Sequence, residues 1–497
     1  MKTNSPTVQA EKLDIVGSST FGRNPKILAS RTFNMITSDD WLVDYCGYEF
    51  VKNLSNTGNG RALFTSVRNN RLIAVVSNNI YSIAVVNAGS RKIYTSAKIG
   101  QLTTFGGDVF MDENNNGEIA ICDKHALYIY NYVSGDFREA LLPSGVTPGY
   151  VTFQNGRFVV PDITGANWYI SQFNDGLNWF PGPEGTPLNG GFQTKANAPL
   201  VTLRFPGRSN LLFVMGEIVT ELWNDNGLPQ FPYQKNTSIS FDYGCINPGS
   251  VAVSEEFVAW LGISEDSGPV LMYSNGSDVK SISTDGINYK LEKLVSPEKC
   301  SAFFVKLAGH LIYQITFYGS DDNYSFIYDF TTGKFFDVTD ENMNYHIAKQ
   351  VAFFDNDYYF VSFKDGSLYR MSSELSTFQY EGKDPIEIPR IRVCSNIRMP
   401  NSFRFVVNNL TFTLEQGDDT DNQQNVQHYD PRIGLRISSN GGVSFGNFVT
   451  YPIYKIGNRP NKLDWWNLGS TNDFVAQIRF WGRGPWRAFD GVANIFQ

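Results

Sequence analysis

Hydrophobic and polar positions alternate over short stretches of this chain, again and again, between clusters of Asn, Asp and Gly. A two-residue period puts every second side chain on one face and predicts β-strands rather than helices. One phrase recurs: a polar turn, a strand of β-branched and aromatic residues, a tight turn and a second strand. It starts near Asn70, Gly117, Gly156, Asn210, Phe257, His310 and Asp357, as in NRLIAVVSNNIYSIAVV and DYYFVSFKDGSLYRM. Successive starts lie 47, 39, 54, 47, 53 and 47 residues apart, close to the roughly 40–50 residues of one propeller blade. Ser134-Gly135-Asp136, Thr332-Gly333-Lys334 and Lys364-Asp365-Gly366 supply turn residues that tolerate positive φ. The expected fold is all-β, a β-propeller of six or seven blade-like repeats. Neither a WD nor a kelch signature accompanies the repeat, so a set of unrelated β-sandwiches is the alternative. Helical periodicity is confined to Glu292–Lys306, where a turn or two is expected.

The rhythm changes near residue 385. PIEIPRIRVCSNIRMP carries prolines at a spacing suited to an edge strand or linker, and the strands beyond it predict a C-terminal β-sandwich over 385–497. The expected divisions are a 1–40 N-terminal arm with a first strand, a 41–384 propeller-like domain, and the sandwich. The longest polar stretch, Glu415–Asp430, has Val426 as its one aliphatic residue and cannot offset its own ordering cost. It is a candidate partner-binding loop, with Gln416, Asp418, Asp419, Asp421, Gln427 and Tyr429 as the contact residues.

Composition sharpens this reading in two places. The 38 Phe, 25 Tyr and 44 Gly suit many short strands and tight turns. Net charge is −8, with 12 Lys and Arg against 9 Asp and Glu in residues 385–497. By difference from 41 and 49, residues 1–384 hold 29 and 40. An acidic chain does not wrap nucleic acid with its whole surface. Cys46, Cys122, Cys245, Cys300 and Cys394 form no CxxC pair and are odd in number, which points to structural thiols made in a reducing compartment. The polar N-terminus lacks the apolar core of a secretory signal, and no apolar run is long enough for a membrane helix.

Catalytic and metal chemistry find little support. Gly58-Asn59-Gly60 and Gly190-Gly191 lack the following helix of a phosphate loop. His125, His310, His346 and His428 are scattered without HExxH, no G-x-S-x-G elbow occurs, and neither cofactor nor metal is expected. Ser438-Ser439-Asn440-Gly441-Gly442-Val443-Ser444-Phe445 resembles an Asp-box, a turn device without catalysis; Asn174–Trp179 and Thr284–Tyr289 are looser versions. Because propellers host sialidases and lyases, a glycan hydrolase is the enzymatic alternative, although no carboxylate pair can be assigned. The stretch Arg479–Arg487 (RFWGRGPWR) could be a nucleic-acid or sugar platform. An edge strand with solvated arginines and core-filling aromatics is the preferred reading.

Several phrases resemble one family, the packaged-DNA stabilisation proteins that form the tail hub or nozzle of short-tailed phages. NLLFVMGEIVTELWNDNGLPQFPYQK is similar to the family's strand, turn, E-x-W and G…PFPF run, and FDYGCINPGSVAVSEEFVAWLG to its YGC-x-x-PGS-V…WLG. Phe213, Gly216, Glu221, Trp223, Gly227, Phe231, Pro232, Tyr243, Gly244, Cys245, Pro248, Gly249, Ser250, Trp260, Leu261 and Gly262 occupy the pattern's positions. SRTFNM at Ser30–Met35 resembles the amino-terminal R-x-x-N, without its usual tyrosine-proline. LRISSNGGVSFGNF and LDWWNLGSTNDFVAQIRF resemble the carboxyl-terminal phrase through Trp466 and Gly469, with Asn440 in place of Asp. The resemblance implies a non-enzymatic virion protein, synthesised in the host cytoplasm and built into the tail as a hexameric ring. Its implied partners are further copies of itself, the portal-adaptor protein, a tail needle and a tailspike or fibre, with genomic DNA passing through the lumen. A host-side propeller scaffold is a third reading, which the gene's neighbourhood would decide.

Overall fold

The computed structural model describes residues 8–22, 30–89, 91–228, 231–415, 431–453, 462–482 and 487–496. Four-stranded antiparallel sheets follow one another along the chain, and seven of them close into a ring. Blades one to five each use four consecutive strands, beginning at Gly60–Ser66, Phe110–Glu113, Thr152–Gln154, Pro199–Arg204 and Ala252–Val253. Blade six runs Cys300–Leu307, His310–Tyr318, Asn323–Asp329 and Lys334–Val338. Blade seven takes three strands from Ala348–Phe354, Asp357–Ser362 and Gly366–Ser372, and its fourth, Gly47–Ser55, from the other end of the domain. That loan closes the circle, because the first blade follows Ser55 directly.

The recurring phrase marks the second strand of every blade. Arg71, Glu118, Arg157, Leu211, Val258, His310 and Asp357 open those strands. Middle strands are buried on both faces, so their apolar runs are the densest and the easiest to see. The turns before them use the expected conformers: Asn70 has φ 52°, Gly117 87°, Gly156 88° and Asn356 64°. Between neighbouring blades the facing side chains fill one apolar cluster each. Trp168 and Trp223 meet edge to face at 5.4 Å between blades three and four, and Trp260 fills the gap between four and five.

The second body is a β-sandwich, and it corrects the expected divisions. One of its sheets orders Met35–Ser38, Trp41–Asp44, Arg487–Phe496, Phe405–Glu415 and Lys462–Thr471, with Val8–Lys12 paired to Arg487–Phe496. The N-terminal segment is therefore no free arm: Leu13, Ile15, Met35 and Leu42 lie in the sandwich core, and one hairpin spans the 40/41 division. The 384/385 division likewise falls inside the pairing of Thr377–Phe378 with Ile386–Glu387, which extends blade seven. Pairing between chain ends leaves no local trace, since neither strand's pattern names its partner.

The other sandwich sheet continues blade six without a break. Past Lys334–Val338 come Arg31–Phe33, Arg390–Val393, Val475–Trp481, Arg432–Ser438 and Val449–Pro452. Arg390–Val393, where an edge strand or linker is expected, is a central strand; Arg390 and Arg392 are almost wholly buried, held by Asp44 and Asp14. Val475–Trp481 is central too, between Arg390–Val393 and Arg432–Ser438, so the edge-strand reading of Arg479 does not hold.

The helix also moves. Asp285–Leu291 is helical and Cys300–Leu307 is a strand. Thr284 caps the helix by accepting from the Ile287 N–H, so Thr-Asp-Gly there is a helix start and not a hairpin turn. Gly286 is required, because a Cβ would lie 1.1 Å from the Phe21 carbonyl oxygen.

Candidate functional site

The YGC…PGS motif packs between blades four and five, and its Asn247–Gly249 stretch reaches the middle of the ring. Thr220 and the Tyr243 carbonyl tie the motif to blade four, the hydroxyl donating at 2.7 Å. Gly244 passes so close to Glu217 that a Cβ would sit 2.2 Å from its carbonyl carbon, and its own carbonyl accepts from Trp260 Nε1 at 3.0 Å. Gly262 leaves room for that indole, with Met272 2.8 Å from where a Cβ would be. Pro248–Ser250 then forms a single 3₁₀ turn, fully buried, and Ser250 accepts at its carbonyl from the Tyr313 hydroxyl at 2.9 Å. Asn247, just before it, points inward.

There Asn247 meets groups from across the ring. Asp108, ahead of blade two, accepts from Lys349 Nζ of blade seven at 2.7 Å and from Lys124 Nζ at 3.3 Å. Lys124 also donates to Asn247 Oδ1 at 3.0 Å, and Asn247 Nδ2 donates to the Cys300 carbonyl of blade six at 3.2 Å. Tyr318 of blade six accepts from Lys349 at 3.0 Å. Asp108, Lys349 and Asn247 are each only 5–6% exposed. Blades two and five are three places apart in a ring of seven, so groups from both can meet only across the middle. This end of the axis is closed.

Burial alone would raise the Asp108 carboxyl, but the ammonium groups of Lys349 and Lys124 overcome it and hold the group well below the usual carboxylate range. Gly249 has to be glycine for the same closure, since a Cβ would stand 2.8 Å from the Cys300 carbonyl and 3.1 Å from Asp108. Arg61, 3% exposed, donates to the carbonyls of Ser77, Thr104, Gly106 and Gly107 and so pins the loop that carries Asp108. Above the closure lies a shallow cavity of about 490 Å³, walled by Arg61, Phe105, Tyr345 and Phe363. Sequence reasoning missed Asp108, Lys349, Lys124 and Arg61. Isolated charges in or beside loops look solvated, and nothing local says that four blades meet over them.

The remaining motif residues serve the fold at other places. Glu221 is fully buried and gathers the Gln193 and Thr194 N–H groups, the Thr194 hydroxyl and Lys235 on one oxygen. Its other oxygen takes Trp223 Nε1, and these partners hold its carboxyl low despite burial. Gly227 turns at φ 64°. Arg31 makes a two-pronged pair with Asp337, and Asn34 bridges Thr339 and the Pro389 carbonyl, so the R-x-x-N phrase staples propeller to sandwich. Trp466 is 58% exposed, whereas its neighbour Trp465 fills the sandwich core and donates to the Val449 carbonyl at 3.0 Å. Adjacent strand residues face opposite ways, so one of the two had to be outside. Gly469 lies within the strand Lys462–Thr471 at φ 93°, beside an irregularity in its pairing with Phe405–Glu415. Asn440 caps its turn fully, accepting from the Ser444 N–H at 3.0 Å. The loop residues Gln416, Asp418, Asp419, Asp421, Gln427 and Tyr429, with His428, lie outside the described residues.

All five cysteines are buried free thiols. Among the described residues no cluster of His, Cys, Asp and Glu could hold a metal ion, and no helix is long and apolar enough to cross a membrane.

No curated protein matches the sequence significantly. Solved structures are similar in shape at low identity. The N-terminal domain of Nup159 matches at 11% identity and TM-score 0.39, over 69% of this chain and 99% of that one. The β-propeller domain of Myceliophteria thermophila Cps50 (Swd1) matches at 10% and 0.36, over 64% and 97%. The profile of the phage stabilisation family, described as "Bacteriophage P22 Gp10, beta-propeller", matches residues 29–306. That span is over half of the 497 residues and holds both the axis motif and the Arg31–Asn34 staple. The chain belongs to this family of phage structural, DNA-stabilising β-propeller proteins.

Proposed function

We propose that the chain is a hub or nozzle subunit of the virion tail, which helps close the tail channel behind packaged DNA and offers surfaces to the portal-adaptor, needle and spike or fibre proteins. The observation that carries this reading is the closed propeller axis. A propeller sealed by Asp108, Asn247 and Lys349 is no conduit for DNA, so a channel has to run between copies set side by side, in a ring. The continuous sheet from blade six into the sandwich suits that task, because it makes each subunit one stiff block whose two ends keep their spacing. An acidic subunit, at −8, lines such a channel without gripping phosphates.

The test is genome retention. Particles assembled without this chain should package DNA and then lose it to added nuclease, and purified chain should restore protection. Particles that keep an intact genome and infect normally without it would remove the reading. Release of sugar from host capsule or lipopolysaccharide by the purified chain would favour the glycan hydrolase instead.

A further inference from the structure

The sandwich sheet that continues from blade six has one face in the core, through Ile433, Leu435, Ile478 and Phe480. Alternation sends Arg436, Gln477, Arg479 and Trp481 to the other face. In register, Arg436 lies opposite Gln477 and Gly434 opposite Arg479, which makes the two arginines diagonal neighbours. Arg436 donates through Nε to Gln477 Oε1 at 2.8 Å, and its guanidinium lies over the rings of Phe445 and Phe448, 5.1 and 4.7 Å from their centroids. Arg479 lies over Trp481 at 4.9 Å, and its buried Nε has no partner among the described residues. Trp481 packs edge to face on Phe448 at 5.1 Å and lies across Gly434, where a Cβ would stand 2.6 Å from the indole.

Neither arginine forms an ion pair with a described carboxylate, although both are half buried. Burial and the neighbouring charge of Arg479 together push the Arg436 guanidinium below its ordinary value. Like charges set side by side against aromatic walls are costly unless something brings negative charge to them. The adjoining sequence stretches 454–461 and 483–486 hold Lys455, Arg459 and Arg483 and no Asp or Glu.

We propose that Arg436 and Arg479, walled by Phe445, Phe448 and Trp481, form a docking site for an acidic segment of another polypeptide, one carrying Asp or Glu beside an aromatic residue. Paired planar guanidiniums match carboxylate oxygens, and the partly exposed rings of Phe445, Phe448 and Trp481 give an aromatic neighbour somewhere to pack. A peptide suits the site better than nucleic acid, because a phosphate backbone would have to run over a protein that carries 29 Lys and Arg against 40 Asp and Glu in residues 1–384.

Calorimetric titration of the full chain decides this, using a short synthetic peptide alternating aspartate with phenylalanine, its lysine counterpart, and oligothymidylate. The aspartate peptide should bind, more weakly as salt rises, and the lysine peptide should not. Arg436→Gln with Arg479→Gln should weaken binding ~10-fold or more, with circular dichroism unchanged. Arg436→Lys with Arg479→Lys, which keeps charge but loses the planar fork, should fall between. Four results overturn the proposal: no binding by the parent chain, equal binding by the glutamine variant, tighter binding of oligothymidylate at the same arginines, or peptide binding that appears only after Asp418, Asp419 and Asp421 become Asn. The last would mean that the chain's own acidic segment holds the site.

Discussion

Trp465 and Trp466 are adjacent in sequence and opposite in fate. The first is 1% exposed against Phe412 and Tyr451, the second 58% exposed. Trp465→Ala should destabilise the sandwich by roughly 3–5 kcal/mol, and Trp466→Ala should stay within about 0.5 kcal/mol; thermal unfolding of both variants measures the contrast. Trp223 and Trp260 are as buried as Trp465, and alanine there should cost the same order. A second residue-scale effect belongs to His346, which lies 1% exposed among Tyr48, Phe360 and Phe378. Burial lowers its pKa from 6.5 to about 4. The unfolded chain therefore takes up the proton first as pH falls. The stability at stake is full above pH 6.5 and declines towards pH 4, by up to about 3 kcal/mol. His346→Asn should flatten that part of the pH profile of the unfolding midpoint.

At the scale of elements, two joints hold the molecule together. The borrowed strand Gly47–Ser55 is the fourth strand of blade seven, and without it the ring stays open and a paired edge is left bare. A chain beginning at Thr57 lacks this strand together with the sandwich strands before it and should fail to give soluble monomer, whereas one beginning at Val8 should fold; soluble yield and size-exclusion profile distinguish them. The axis closure is the other joint. Lys349 is 5% exposed, so Asp108→Ala strands a buried ammonium and should cost about 3–5 kcal/mol. Asp108→Leu with Lys349→Met removes both charges and should recover much of that loss, as a double-mutant cycle in urea would show. Recovery is expected to be incomplete, because Lys124 also leans on Asp108.

For the whole molecule the question is how copies meet. The described structure contains no long helix and no coiled coil; its one α-helix has 7 residues. Among the described residues, exposed apolar side chains such as Val67, Val133 and Phe173 stand in separate turns, and Val86 faces Ile93 across one hairpin; groups this small fall short of the interface of an obligate oligomer. Modest interfaces repeated around a ring gain from effective concentration once a template holds the first copies. The free chain should accordingly sediment as a monomer at micromolar concentration, and in the hub role proposed above a ring should form only on a portal-adaptor complex. A stable ring without the adaptor would reject templated assembly and leave the family unaffected.

The sequence by itself determined the blades. Period-two alternation and turn residues are local properties, and the seven second strands, the positive-φ turns and the propeller class all follow from them. It also carried the family, because glycines such as Gly244, Gly249 and Gly262 are dictated by close approach and keep their spacing. Only the tertiary structure decided the rest. Arg390 reads as part of an edge strand or linker and Arg479 as a solvated edge residue, and both lie in central strands; Leu13 and Met35 read as an arm and are sandwich core. Asp108 and Lys349, 241 residues apart, carry no local signal in the sequence and meet across the ring. In each case the deciding partner is remote in the chain, and a local pattern fixes which face a side chain takes but not what that face will meet.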